Sequence, residues 1–245
     1  MPPQPTIAEL DWQPFIRPTW FIDSDAVPVC DYARSAVGDA ADDIERARRL
    51  FYAVRDDIRY SAYSLDLSRE SFRASHVLAA RRGWCVNKSC LLAAAARAVG
   101  VPCRLGFADV RNHLATEKLL AAMGTDVFHY HGYNEFFLEG RWVKATVAFN
   151  LSLCQKARLL PLEFDGRHDA LYHPFDLQGR RHMEYLRDHG SFADLPYEQI
   201  VTTFREVYPL LSGAGGVAPG LTGDFEAEVQ AEADAKAQQV PPKET

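Results

Sequence analysis

The stretch GWCVNKSCLLAAAARAVGVPCR, residues 83–104, organises the reading of the whole chain. Leu91, Leu92, Ala95, Ala96 and Val99 recur at helical spacing, and Gly100 followed by Pro102 ends the helix. The many alanines let a neighbouring element approach closely. Cys85 stands at the head of this helix, directly after Gly83 and Trp84. The first turn of a helix presents N–H groups with no partner inside the helix, and with them a positive potential. A thiol placed there shifts toward thiolate, and the same N–H groups can hold the oxyanion of an attacked acyl carbon. Position alone also fits a plain buried cysteine, which is how Cys90, Cys103 and Cys154 read within their apolar patterns.

Upstream, Ile44, Ala47, Phe51, Val54 and Ile58 line one face of a helix for which Asp39 is a candidate N-cap. The Pro- and aromatic-rich residues 1–37 read as an irregular arm, and His76 to Ala80 as a short helix or turn. Downstream, Cys103 to Ala108 reads as a strand and Ala115 to Met123 as a short helix stopped by Gly124. Val127 to Leu138, the turn Glu139-Gly140 and Arg141 to Phe149 form a hairpin pattern. Leu160 to Asp188 has no clear periodicity; Tyr197 to Leu211 is a helix by the spacing of Ile200, Val201, Phe204, Val207 and Leu211. These elements place one domain at 38–211. Beyond it, 212–245 is a Gly/Ala/Pro-rich tail with six acidic residues and two lysines, expected as a flexible or solvated helix.

A thiol nucleophile needs a base. His131 lies on the first hairpin strand, within His131-Gly132-Tyr133-Asn134-Glu135, and His129 is two residues earlier, on the same face of a regular strand. A metal reading of this His-x-His pair lacks a third ligand. The ordered series is more specific than any piece of it. Glu45-Arg46-Ala47 through Tyr60, Gly83-Trp84-Cys85, Arg97 through Arg104, His131-x-Tyr133-x-Glu135 and Gly140-x-Trp142-Val143 together resemble the transglutaminase-like superfamily.

That resemblance implies an α+β, papain-like fold with the nucleophile helix packed on an antiparallel sheet. It implies Cys85 as nucleophile and His131 as base, with His129 as runner-up. Trp84 and Tyr133 become candidate substrate contacts. The family's Asp, four residues after the return-strand tryptophan, falls here on Thr146, which can accept a hydrogen bond but carries no charge. Asn150 is an alternative orienter, as papain-like enzymes use an Asn in this role.

The implied activity is cleavage or transfer of a peptide or protein amide through a Cys85 thioester, read as a peptidase or amidase. A silent binding module and a protein-crosslinking transglutaminase are the alternatives. No cofactor or metal is expected. A net charge of −6 and a pI of 5.8 argue against nucleic-acid and anionic-membrane partners. No apolar run is long enough for a membrane span and no secretory pattern opens the chain; with five cysteines and no C-x-x-C pair, a cytoplasmic location is expected.

Overall fold

Fourteen residues, Cys85–Ala98, form the helix around which the molecule is built, and every one from Cys85 to Arg97 is buried. The computed structural model describes residues 13–112, 115–171, 183–208 and 221–238. In chain order its elements are α1 (Gln13–Ile16), α2 (Val27–Val37), α3 (Asp43–Asp57), β1 (Arg59–Tyr60), α4 (Ala74–Ala80), β2 (Arg82–Gly83), α5 (Cys85–Ala98), β3 (Cys103–Asn112), α6 (Glu117–Met123), β4 (Val127–Leu138), β5 (Arg141–Ala145), α7 (Leu151–Ala157), β6 (Met183–Phe192), α8 (Tyr197–Val207) and α9 (Phe225–Gln238). Four strands pair antiparallel in the order β5-β4-β3-β6, and α5 lies on one face of that sheet. The fold is therefore α+β, with the cysteine-bearing helix on an antiparallel sheet, as the sequence leads one to expect. Among the described residues, no helix is long and apolar enough to cross a membrane.

A helix buried on all sides must satisfy its polar side chains internally. Three of the four in α5, Asn87, Lys88 and Arg97, do so by tying other segments to it. Asn87 Oδ1 accepts from the Trp84 N–H at 3.2 Å while its amide donates to Ser71 O at 2.9 Å. Lys88 Nζ donates to Arg55 O at 2.9 Å and Ile58 O at 2.6 Å, closing the end of α3. Ser89 offers its carbonyl to Asn134 Nδ2 at 2.9 Å, which joins the helix to β4. Arg97 donates to the carbonyls of Arg17, Cys103 and Ala193, joining the N-terminal segment, β3 and the end of β6.

The hairpin turn takes φ +48° at Glu139 and +82° at Gly140, the left-handed pair a two-residue connection requires. Gly132 has a different task. A Cβ there would stand 3.1 Å from Val86 Cα, so glycine lets β4 touch the first turn of α5.

Several expectations need correction. The cap of α3 is Asp42, which accepts from the Glu45 N–H at 2.8 Å, whereas Asp39 pairs with Arg49. The stretch read as an irregular arm contains α2, with Val29, Ala33 and Val37 buried. Pro28 sits in its first turn, where a missing N–H costs nothing. The unassigned region supplies the edge strand β6.

The tail also differs from a solvated helix. Phe225 packs its ring against Tyr60 and Tyr63, and Glu226 is buried. Asn150 Nδ2 donates to Glu226 Oε1 at 2.9 Å and Lys156 Nζ to Oε2 at 2.8 Å, with Arg59 Nε at 3.5 Å. Burial pushes the Glu226 carboxyl up, but these partners outweigh it and hold it below its ordinary value. Deleting residues 221–245 is accordingly expected to lower the thermal midpoint by about 4 °C or more, the scale of ~1–2 kcal/mol in a domain of this size. A midpoint unchanged within error would show that α9 contributes nothing to the fold.

Candidate active site

Cys85 is the first residue of α5, and its sulfur is approached by the backbone N–H groups of Gly132, Val86 and Cys85 itself. Gly132 can serve because β5 pairs with β4 only between Leu138 and Asn134, so that edge of β4 is open further along. Cys85 is buried, and burial pushes its thiol up to about 11. The N–H groups oppose that shift without reversing it. Burial thus outweighs the helix start, which alone would draw the thiol down.

Cys85 opens into a cavity of about 50 Å³, and both His129 and His131 line it. Trp84 and Tyr60 stand on the same wall. The two histidines are not related by simple alternation. Ala108 pairs with His131 and Val110 with Phe128, so Asp109 alone faces His129 and Tyr130. This bulge turns Tyr130 to φ +53° and resets the strand.

It also gives His129 a carboxylate. His129 Nδ1 lies 3.1 Å from Asp109 Oδ2, and His189 Nε2 lies 2.6 Å from Asp109 Oδ1. Tyr130 donates its N–H to the same Oδ1 and stacks its ring on His189 at 4.1 Å. Burial pushes the Asp109 carboxyl up, yet the His189 and Tyr130 bonds and the His129 neighbour hold it below its ordinary value. Sequence reasoning missed Asp109 and His189. An aspartate inside the apolar run Phe107-Ala108-Asp109-Val110 was the available signal. Among the described residues, no group of three or more His, Cys, Asp or Glu could hold a metal ion.

The two candidate orienters do not reach an imidazole through any hydrogen bond of the described residues. Thr146 is buried, and its Oγ1 has no hydrogen-bond partner among them. Asn150 is committed elsewhere: Oδ1 accepts from the Tyr60 N–H at 2.9 Å, and Nδ2 donates to Ser152 and Glu226. Its reach is used to join β1, α7 and α9.

Tyr133 lies outside the cavity. It packs with Ala108, Val110, Leu171 and Met183 on the sheet face away from α5. Gly132 and Asn134 touch the helix, so alternation sends Tyr133 the other way. Trp84 lines the cavity, wedged against Phe72 and Phe204. Glu135, the last residue of the His-x-Tyr-x-Glu motif, is buried with Arg104 Nε at 2.7 Å and Ser191 Oγ at 2.8 Å, pinning β4 across β3 to β6.

Residues 31–147, which carry Cys85, both histidines and Thr146, match the family model of the transglutaminase-like superfamily. No curated protein matches the chain. A proposed cysteine protease of known crystal structure from Cytophaga hutchinsonii aligns at 17% identity with a TM-score of 0.47, over 77% of this chain and 50% of its own. The chain thus spans about half the length of that neighbour.

Proposed function

We propose that the protein is a cysteine-dependent acyl-transfer enzyme of transglutaminase-like type, acting as an amidase or peptidase. The observation that carries this reading is the shared cavity of Cys85 and His131, with the Gly132 N–H at the sulfur. Cys85 Sγ attacks the amide carbonyl as His131 takes the thiol proton. The amides around the sulfur receive the oxyanion. The tetrahedral adduct then breaks its C–N bond, and His131 gives its proton to the leaving amine. Water resolves the thioester by the reverse sequence, releasing the acid and restoring the thiol. Hydrolysis is favoured over transamidation since water needs no binding site of its own.

The pair His129–Asp109 favours a second assignment of the base, and substitution separates the two. His131→Gln is expected to lower the rate of Cys85 acylation at neutral pH by about 100-fold or more, with part of it restored at alkaline pH. His129→Gln and Asp109→Asn are expected to cost less than 10-fold, roughly the scale of a displaced neighbour. A larger loss from His129→Gln, matched by Asp109→Asn, would make His129 the base and Asp109 its orienter.

A further inference from the structure

The large aliphatic and phenyl side chains of the Cys85 cavity come from four separate segments. Leu65 enters from the segment after β1, Leu119 and Met123 from α6, Phe128 from β4 and Phe204 from α8. None of the described lining residues is Asp, Glu, Asn, Gln, Lys or Arg. The polar groups present are the thiol, the indole, two imidazoles and two phenols; Trp84 Nε1 is buried with no hydrogen-bond partner among the described residues, and others are already engaged. Tyr208 donates its hydroxyl to Val127 O at 2.7 Å and accepts from the His129 N–H at 2.7 Å, while His129 Nδ1 faces Asp109. An acyl chain entering beside Cys85 therefore meets methyl groups and ring faces beyond the reacting carbon.

Such a wall rewards burial of apolar surface and strips a polar tip of its water while offering it one indole N–H, too little to replace all the hydrogen bonds of a carboxamide or carboxylate. Resting on the Cys85 reading above, we infer that the cavity takes an apolar acyl group, aliphatic or aromatic. Acyl chains ending in a carboxamide or carboxylate, the glutamine side chain among them, are discriminated against. The wall is also held from outside: Lys118 pairs with Glu228 at 3.0 Å, and the Glu117 N–H meets Glu232 at 3.0 Å, fixing the first turn of α6 against α9.

The test uses two p-nitrophenyl esters on the full chain: the hexanoate, and the same chain ending in a carboxamide. Each is normalised to its rate of hydrolysis by hydroxide. In acylation the Sγ–C bond forms, the C–O bond to p-nitrophenolate breaks and the thiol proton passes to an imidazole. In deacylation water adds, the Sγ–C bond breaks, and the carboxylic acid and the thiol are regenerated. The hexanoate is expected to show a Cys85-dependent kcat/KM about 10-fold or more above its carboxamide counterpart. Met123→Gln, which sets an amide into the wall, is expected to shrink that ratio several-fold, with folding checked by the thermal midpoint. A ratio of one or below, with nitrophenolate release that still requires Cys85, overturns the inference and leaves the nucleophile standing. Release of both esters at the wild-type rate by Cys85→Ala, or release of neither by the folded wild type, overturns the Cys85 reading itself.

Discussion

Cys85→Ala is expected to lower acyl turnover by about 1,000-fold or more, the order seen when a covalent nucleophile is removed. Alanine suits a helix start and fills most of the same small volume, so the fold should be retained. No other thiol is placed to substitute. Cys90, Cys103 and Cys154 are buried in the core, and burial pushes each of them up. Cys30 is more accessible but lies on α2, where its sulfur donates to Ser24 O at 3.2 Å. Cys30→Ala should leave turnover unchanged. The raised Cys85 thiol adds a pH test. With its titration near 11, the thiolate fraction climbs about tenfold per pH unit between 7 and 9, and alkylation by iodoacetamide should climb with it. A rate that levels off below pH 8 would instead reveal a stable thiolate–imidazolium pair.

Lys88→Met is expected to destabilise the fold by about 2–4 kcal/mol near pH 9, because two buried carbonyls lose their donor. Those carbonyls, on Arg55 and Ile58, belong to the end of α3, where the helix has no partners of its own to offer. The pH dependence follows from the lysine's titration, which burial pulls down from 10.5 to about 7, with Asp56 opposing. Between those values the unfolded chain binds a proton that the folded chain does not, so the Lys88 contribution to stability grows as pH rises. A neutral amine still has two N–H groups, enough for both carbonyls. The difference between wild type and Lys88→Met in urea unfolding should therefore widen from pH 6 to pH 9. A gap under about 1 kcal/mol, or one that narrows with pH, would contradict this.

The parts of the fold legible from sequence were those with strong local periodicity. α3, α5, the hairpin and α8 each carry a repeating apolar pattern with a recognisable stop or turn. Where local rules were broken, the sequence was silent. The bulge at Asp109 needed no glycine, since Tyr130 itself takes the left-handed backbone. Tyr133 is a different matter, because plain alternation from Gly132 already points it away from the helix. Docking of α9 was hidden for another reason: it rests on few apolar residues, Phe225 and Val229 among them, and on charged partners brought from α6, α7 and β1, which composition counts as solvated. Lys88 looked like any polar position of a helix, and only three-dimensional packing reveals that this helix has no solvent side.

The candidate site was legible to the same degree. Cys85 and His131 share a cavity, as the ordered motifs require, but the third residue is not found where the register leads. The buried Thr146 hydroxyl has no hydrogen-bond partner among the described residues, Asn150 serves the tail, and the buried carboxylate next to the cavity belongs to His129. A carboxylate from β3 in place of one from β5 could not be read from spacing, because the two strands flank β4 on opposite sides.

The most direct measurement is to mix the full chain with p-nitrophenyl hexanoate, quench in acid within the burst of nitrophenolate release, and map the peptides by mass spectrometry. The account predicts one hexanoyl group, on the peptide that holds Cys85, absent from Cys85→Ala and slower to appear in His131→Gln. An acyl group found on another cysteine or a lysine, or an ester consumed equally fast by Cys85→Ala, would contradict it.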